Sequence, residues 1–156
     1  MAETTDTKKI FEQLKKKYGL SDYEEFDKDF EISTIDKEGL FLLEICKRMD
    51  EKIDLFAKVI DKILQPDTTI ADMREHHAFD DSQKKALFEL FKELKILHHS
   101  ALLLLIDQDE RKNAEFIRQV MKQWPSIKKR MNSTAEMLIE SWKSDAVSDD
   151  ELSYMG

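Results

Sequence analysis

The sequence predicts an all-α protein: an antiparallel helical bundle of three long helices plus a short N-terminal helix pair, a last helix kinked at Pro125, and a flexible acidic C-terminal tail. Apolar residues recur at alternating spacings of three and four over three long segments, which is the period of amphipathic helices. The 156 residues include only three Gly and two Pro, too few for the turns of a β-rich chain. The connections between the segments are short, which favours antiparallel neighbours.

The first two predicted helices are short. One covers about 7–18 and ends at Gly19, because glycine commonly terminates helices in the left-handed conformation. The second is expected to begin after Ser21. Glu24 stands three residues later, which is the spacing of a reciprocal capping box.

The first long helix is predicted to start after a cap at Asp36 or Thr34, with Gly39 in its first turn, and its apolar pattern begins at Leu42. It ends before Gln65, because a residue that precedes a proline, here Pro66, is disfavoured in the helical region. Its apolar residues follow heptad spacing, as expected for a helix packed in a bundle. They are Leu42, Cys46, Met49, Ile53, Phe56, Ile60 and Ile63.

A short helix is predicted around 70–77, where Asp72 is placed to complete an N-terminal cap with Thr69. The second long helix begins near Asp80 or Asp81. Between Ala101 and Ile106 it is apolar on every face, so we expect this half to be surrounded by protein. Its heptad positions are Leu87, Leu90, Leu94, Leu97, Ala101 and Leu104.

The last long helix keeps one heptad phase from Ile117 to Leu138, across Pro125. This pattern fits either one helix kinked at Pro125 or two helices with Pro125 in the first turn of the second. We predict one bundle domain over 1–144, followed by an acidic tail over 145–156.

Composition excludes several function classes. The net charge of −8 disfavours non-specific binding to nucleic acid or to anionic lipid. Cys46 is the single cysteine, so no intramolecular disulfide can form. No apolar stretch is long enough to cross a bilayer, and the N-terminal segment lacks the apolar core of a signal peptide. We therefore expect a cytoplasmic protein without a membrane association.

Helical bundles often hold metals, but the Glu-x-x-His motif of di-iron bundles is absent from this sequence. The histidines form two tandem pairs, and one histidine from each pair, His77 and His98, could bind a metal with Glu75 or Cys46 as a third ligand. The alternatives are a pH-sensitive histidine pair, or one histidine of each pair at the edge of the core and the other in water. We predict no cofactor.

Catalytic motifs are equally scarce. Cys46 occupies a heptad position, which suits a small buried apolar residue. Ser100 follows His99, but no acid is spaced to orient that histidine for nucleophilic catalysis. Phosphate-binding loops need glycine runs that this chain lacks. The sequence therefore predicts a protein without enzymatic activity.

Charge is unevenly distributed along the chain. Residues 108–144 carry eight basic and five acidic side chains, whereas 145–156 carry four acids and no base. Arg111, Arg118, Lys122 and Lys129 are spaced seven, four and seven residues apart, so they share one helix face. This basic face fits an acidic protein, nucleic acid, the chain's own tail, or an ordinary solvated face with intrahelical pairs such as Glu115 with Arg118.

The acidic tail contains three apolar residues, Leu152, Tyr154 and Met155. Such a segment can dock on another protein or fold back on the basic face, and the alternative is a terminus without a role.

These observations favour a non-enzymatic helical protein–protein interaction module: an adaptor, assembly factor or regulator. One alternative is a nucleic-acid or ribonucleoprotein-associated factor that uses the basic face of the last helix. A further alternative is a helical bundle that binds a metal or small ligand. Association into a homo-oligomer through a leftover apolar face is also compatible with the heptad pattern.

Overall fold

The computed structural model describes residues 2–35 and 40–144 and confirms the all-α prediction. This part of the chain contains six α-helices, one 3-10 turn (Ile32–Thr34) and no strand. The predicted tail, with Leu152, Tyr154 and Met155, lies outside the described residues. The helices are α1 (Ala2–Tyr18), α2 (Tyr23–Phe30), α3 (Phe41–Leu64), α4 (Ile70–His77), α5 (Asp81–Ile106) and α6 (Glu110–Lys143).

The chain divides into two compact units. The first unit combines Met1–Ile53 with Ile96–Trp124, and the second combines Asp54–Lys95 with Pro125–Gly156. Helices α3, α5 and α6 are each divided between the two units, with one segment in each unit. The assignment of 1–144 to a single domain stays a prediction. None of the described helices is long and apolar enough to cross a membrane.

Aromatic side chains form the core of the first unit beside α1 and α2. The ring of Phe11 meets the rings of Tyr23 and Phe26 edge-on, with centroids 5.5 and 5.2 Å apart. The ring of Phe30 lies 4.9 Å from that of Trp124. Such pairs add about 0.5–1.5 kcal/mol each to the energy of burial. Fully buried aliphatic side chains from the longer helices complete this core: Ile45, Met49, Ile53 and Ile117.

The start of α2 differs from the prediction. The helix begins at Tyr23, so its N-cap residue is Asp22 and not Ser21, and the Asp22 side chain makes no capping hydrogen bond. Instead, the ammonium group of Lys15 on α1 donates to the Asp22 carboxylate over 2.6 Å, and the hydrogen bond and charge of Lys15 lower the pKa of Asp22. Glu24 forms an exposed ion pair with Lys8 on α1, 3.2 Å away. Two ion pairs therefore link the start of α2 to α1.

The predicted cap of α4 is confirmed, and α5 has a capping box that the sequence analysis did not predict. The Thr69 hydroxyl accepts a hydrogen bond from the Asp72 backbone N–H over 3.1 Å at the start of α4. Asp80 and Gln83 form a reciprocal capping box in which each side chain accepts from the other's backbone N–H over 2.8 Å. This fixes the first residue of α5 at Asp81. The core of this unit includes Ile60, Ile63, Leu90, Leu94 and Ile127.

Helix α6 runs without interruption through Pro125, which decides between the two sequence alternatives in favour of one helix. Proline has no backbone N–H, so the hydrogen bond to the Met121 carbonyl, four residues earlier, is missing. The heptad residues Ile117, Val120 and Trp124 before Pro125 are buried, and so is Ile127 after it.

One prediction about α5 is wrong. Its heptad residues from Leu87 to Leu104 are buried as expected, but the segment 101–106 is not surrounded by the protein's own residues. Leu102, Leu103, Leu105 and Ile106 each leave half or more of their area accessible to solvent.

Candidate protein-interaction surface

The most unusual surface of the molecule is the C-terminal part of α5. Five aliphatic side chains expose between 50% and 72% of their area within eleven consecutive residues. Residues 96–106 include no Asp, Glu, Lys or Arg, although these four residue types make up 37% of the whole chain. We name this region the α5 apolar surface; its exposed members are Ile96, Leu102, Leu103, Leu105 and Ile106.

The geometry of an α-helix explains why this surface remains uncovered. Leu97, Ala101 and Leu104 are spaced four and three residues apart, so they lie on one side of α5, and each is at least 93% buried. One side of a helix holds only those positions, and the residues between them point elsewhere. The apolar character of those remaining positions therefore serves no packing role in the core of the first unit.

A groove adjoins the α5 apolar surface within the first unit. It runs between the end of α5 and the start of α6 and has a volume of about 590 Å³. Leu97, Leu104 and Phe116 are the buried side chains of its lining. Leu103 and Ile106 line the groove and also belong to the exposed α5 surface. The groove and the surface are therefore continuous.

The charges beside the groove are paired with one another. The Lys112 ammonium group lies 3.0 Å from the Asp107 carboxylate, and this hydrogen bond and charge raise the pKa of Lys112. The Arg111 guanidinium group lies 3.8 Å from the Glu115 carboxylate, one turn later on α6. Each pair holds one cation and one anion, so the edge of the groove presents little net charge.

The connection after α5 sets the position of α6 beside this groove. The Asp109 carboxylate accepts a hydrogen bond from the Arg111 backbone N–H over 2.9 Å, as an N-cap residue does. The cap starts α6 at Glu110, only four residues after α5 ends at Ile106. A local sequence signal thus places Lys112, Glu115 and Phe116 opposite the end of α5.

The four residues of the predicted basic face have different partners and surroundings in the structure. Arg111 is paired with Glu115, so the intrahelical partner of Glu115 is Arg111 and not Arg118 as suggested. The Arg118 guanidinium group donates a hydrogen bond to the backbone carbonyl of Tyr18 over 2.9 Å. Lys122 is exposed and lines a small pocket beside α2 in the first unit. Lys129 belongs to the second unit, where it lines a different groove.

The two candidate metal-binding histidines belong to different units. His98, in the first unit, places Nδ1 2.7 Å from an Asp50 carboxylate oxygen. His77, in the second unit, packs against the ring of His76 with centroids 5.2 Å apart. Within residues 2–35 and 40–144, no three His, Cys, Asp or Glu side chains are grouped so as to hold a metal ion.

The two residues suggested as a third metal ligand are engaged elsewhere. The Glu75 carboxylate accepts a hydrogen bond from the indole N–H of Trp142 over 2.9 Å. Cys46 is 2% exposed, and its thiol donates to the Asn113 backbone carbonyl over 3.5 Å. Burial raises the pKa of the Cys46 thiol to about 12. Because metals and electrophiles react with the thiolate, this cysteine is poorly suited to either role at neutral pH.

No protein-family model, curated protein or solved structure matches this chain.

The α5 apolar surface was missed at the sequence level. A run that is apolar on every face of a helix usually indicates a buried segment, and this pattern therefore predicts burial of 101–106. The same pattern also describes a helix that is buried on one side and reserves the other for a partner. The signal that separates the two is structural: Leu97, Ala101 and Leu104 already fill the inward positions.

Proposed function

We propose that this chain is a non-enzymatic helical protein–protein interaction module, acting as an adaptor, assembly factor or regulator, and that the α5 apolar surface is its docking site. The observation that carries the proposal is the exposure of five aliphatic side chains on eleven uncharged residues. Contiguous exposed apolar surfaces of this kind are rare on monomeric proteins and are typical of interaction sites. A cytoplasmic location forms part of the proposal, since the lone cysteine requires no oxidising compartment.

The other exposed large apolar side chains provide a useful comparison. Leu40, Leu55, Ile70, Phe88, Ile139 and Trp142 are also at least 42% exposed, but along the described chain they are scattered, and only Ile139 and Trp142 lie one turn apart on the same helix. Single exposed apolar residues are normal on protein surfaces. The α5 apolar surface differs because four of its five members lie within the five consecutive residues 102–106. Burying the exposed part of each would contribute roughly 1–2 kcal/mol to association.

The proposed partner is a helix of another protein that presents an uncharged aliphatic face. The groove lies between two helices, and grooves of this type accept the apolar face of a third helix. The charges at its edge, Lys112 with Asp107 and Arg111 with Glu115, neutralise each other. A strongly charged peptide would therefore find no complementary charge here, and apolar contact decides the choice of partner.

The nucleic-acid alternative has less support than docking through α5. Of the four residues of the basic face, Arg111 is paired with Glu115, and Arg118 is bonded to a backbone carbonyl. A phosphate would have to compete with these contacts, whereas a partner of the α5 apolar surface displaces only water.

The first step of the test identifies the partner by contact. A photoreactive amino acid is placed at Leu103, on the proposed surface, and at Leu55 on α3 as the matched control, since both side chains are more than half exposed. We expect a defined protein to be cross-linked from position 103 and not from position 55. Equal cross-linking from both positions would contradict the proposal, and cross-linking only to further copies of this chain would overturn the choice of a different protein.

The second step measures affinity with the purified partner. Leu103→Glu and Ile106→Glu each place a charge where apolar contact is proposed, so we expect the Kd to rise at least about 30-fold for each. Leu55→Glu should leave it within about threefold. Unchanged affinity of both α5 variants would rule out the α5 apolar surface as the docking site.

A further inference from the structure

A second groove lies entirely within the second unit. It runs between the first half of α5 and the second half of α6 and has a volume of about 440 Å³. Its floor is apolar: Phe79, Leu87 and Leu90 are buried, and Met137 is half-buried. We name it the second-unit groove. The remaining lining residues are Gln83, Ala86, Ser126, Lys129, Arg130, Ser133 and Thr134.

Most polar groups of this groove are engaged within it. The guanidinium group of Arg130 is bonded to the Glu93 carboxylate. The hydroxyl of Ser133 donates to the Lys129 carbonyl, and that of Thr134 donates to the Arg130 carbonyl, both within α6. Lys129 is exposed, and its ammonium group makes no hydrogen bond or ion pair with any residue of 2–35 or 40–144. The groove therefore offers an apolar floor and one available cation.

We propose that the chain's own C-terminal segment, residues 145–156, binds in the second-unit groove. This segment combines three consecutive acids, Asp149 to Glu151, with three apolar residues directly after them, Leu152, Tyr154 and Met155. The acids complement Lys129, and the apolar side chains complement the floor formed by Phe79, Leu87 and Leu90. The proposal is independent of docking through α5, because the second-unit groove shares no residue with the α5 apolar surface.

The length of the segment is sufficient to reach the groove. Ser144 is fifteen residues beyond Lys129 on α6, which corresponds to about 22 Å along the helix axis. A chain that returns along α6 in an extended conformation covers this distance in about seven residues. Residues near Glu151 can thus stand beside Lys129. Because Gln83 contacts Met137 and Glu93 contacts Arg130, Phe79 and Leu87 lie on the Met137 side of Lys129, so the five residues after Glu151 reach the apolar floor by turning back toward Met137.

The starting point of the segment is held in place. The Arg74 side chain on α4 donates to the backbone carbonyl of Ser141 over 2.9 Å and also to that of Ser144. Residues 125–144 carry four bases and two acids, so the helix along which the segment would return is basic. A tethered segment has a high effective concentration at a nearby groove, so even a weak site would be occupied.

The test uses the full chain with a nitroxide attached through Ser153→Cys; Cys46 is buried and should not be labelled. Paramagnetic broadening of backbone amide signals then reports which residues the segment approaches. We expect broadening at residues 86–90 and 129–137. Broadening no stronger there than on α1 would overturn the proposal.

Charge reversal identifies the contact that holds the segment. Lys129→Glu should reduce the broadening in the groove at least about fivefold, and adding Asp150→Lys to that variant should restore it. Lys122→Glu is the matched control, because it reverses an exposed lysine of the same helix outside the groove and should change nothing. A Lys129→Glu variant with full broadening would contradict the assigned contact.

Leu103→Glu should leave the pattern intact whether or not docking through α5 is correct, so the two proposals fail separately.

Discussion

The guanidinium group of Arg118 on α6 donates a hydrogen bond to the backbone carbonyl of Tyr18, the last residue of α1. The final carbonyls of a helix have no partner within the helix, and a basic side chain can satisfy one of them. The Tyr18 hydroxyl in turn donates to the Glu110 carboxylate over 2.6 Å, and this hydrogen bond raises the pKa of Tyr18. A residue predicted to bind a partner therefore has a structural role at the end of α1.

We expect Arg118→Ala to lower the free energy of unfolding by about 1 kcal/mol, since the variant removes one charge-assisted hydrogen bond at a solvent-exposed site. Lys122→Ala, one turn later on α6, is the control and should stay within about 0.5 kcal/mol of the unsubstituted chain. Urea unfolding followed by circular dichroism measures both. Equal stability of the two variants would show that the Arg118 contact does not support α1.

Cys46 is predicted to be almost unreactive in the folded protein. Burial raises its pKa from the ordinary value of 9.0 to about 12, so at pH 8 a much smaller fraction of the thiol is ionised than in the unfolded chain. Alkylation by iodoacetamide should therefore be at least about 100-fold slower without urea than in concentrated urea. Comparable rates in the two conditions would mean that the thiol is accessible and ionised.

The raised pKa of Cys46 also determines whether stability rises or falls with pH. Above pH 9 the unfolded thiol loses its proton, whereas the folded thiol keeps it up to about pH 12. The folded state then binds more protons than the unfolded state, so stability falls as pH rises through this window. Cys46→Ala should show a shallower decline between pH 9 and pH 11, measured as the shift in the urea midpoint.

Trp124 and Asp29 test the packing of α6 against α2 in the first unit. The indole N–H of Trp124, a side chain that is 2% exposed, donates to the Asp29 carboxylate over 3.1 Å. Asp29→Ala leaves this buried donor without that acceptor, which should cost about 1–2 kcal/mol of unfolding free energy. Asp29→Asn keeps an acceptor oxygen and should cost less than half as much. If both variants unfolded like the unsubstituted chain, the hydrogen bond would contribute nothing to stability.

Heptad spacing predicted the three long helices to within a few residues, because an inward-facing stripe must repeat with the helix period. The local capping pattern predicted the cap at Thr69 with Asp72, but it was wrong at Ser21, because the helix begins one residue later and Asp22 is paired with Lys15 on α1. The α5 apolar surface was beyond sequence reasoning. An apolar side chain at Ile96 or Leu103 is compatible both with burial under a neighbouring helix and with exposure. Only the fold determines that these two side chains remain exposed.

Hydrogen bonds from a side chain to a backbone carbonyl far away in the sequence are the other feature that residue spacing cannot predict. Arg118 was assigned to a basic face because helix geometry fixes its direction relative to Lys122, but its acceptor lies one hundred residues earlier. Pairing between residues so distant in sequence depends on how α1 and α6 pack in the first unit. Helix geometry places Arg118 and Lys122 on one side of α6, while the contacts of the four basic residues had to come from the structure.

Arg74 is predicted to hold the end of α6 on α4. Its side chain donates to the carbonyls of Ser141 and Ser144, and its guanidinium carbon lies 5.3 Å from the centre of the Trp142 ring. Arg74→Ala removes all three contacts, so the last turn of α6 should open more often, and hydrogen exchange of amides 139–144 should accelerate at least about tenfold. Arg74→Lys keeps the charge but not the planar donor group, and it should give an intermediate rate.

Lys143→Ala is the control on the same turn and should leave exchange unchanged. Equal exchange rates in Arg74→Ala and the unsubstituted chain would show that α6 holds its last turn without α4, and the segment 145–156 would then start from a point that Arg74 does not fix.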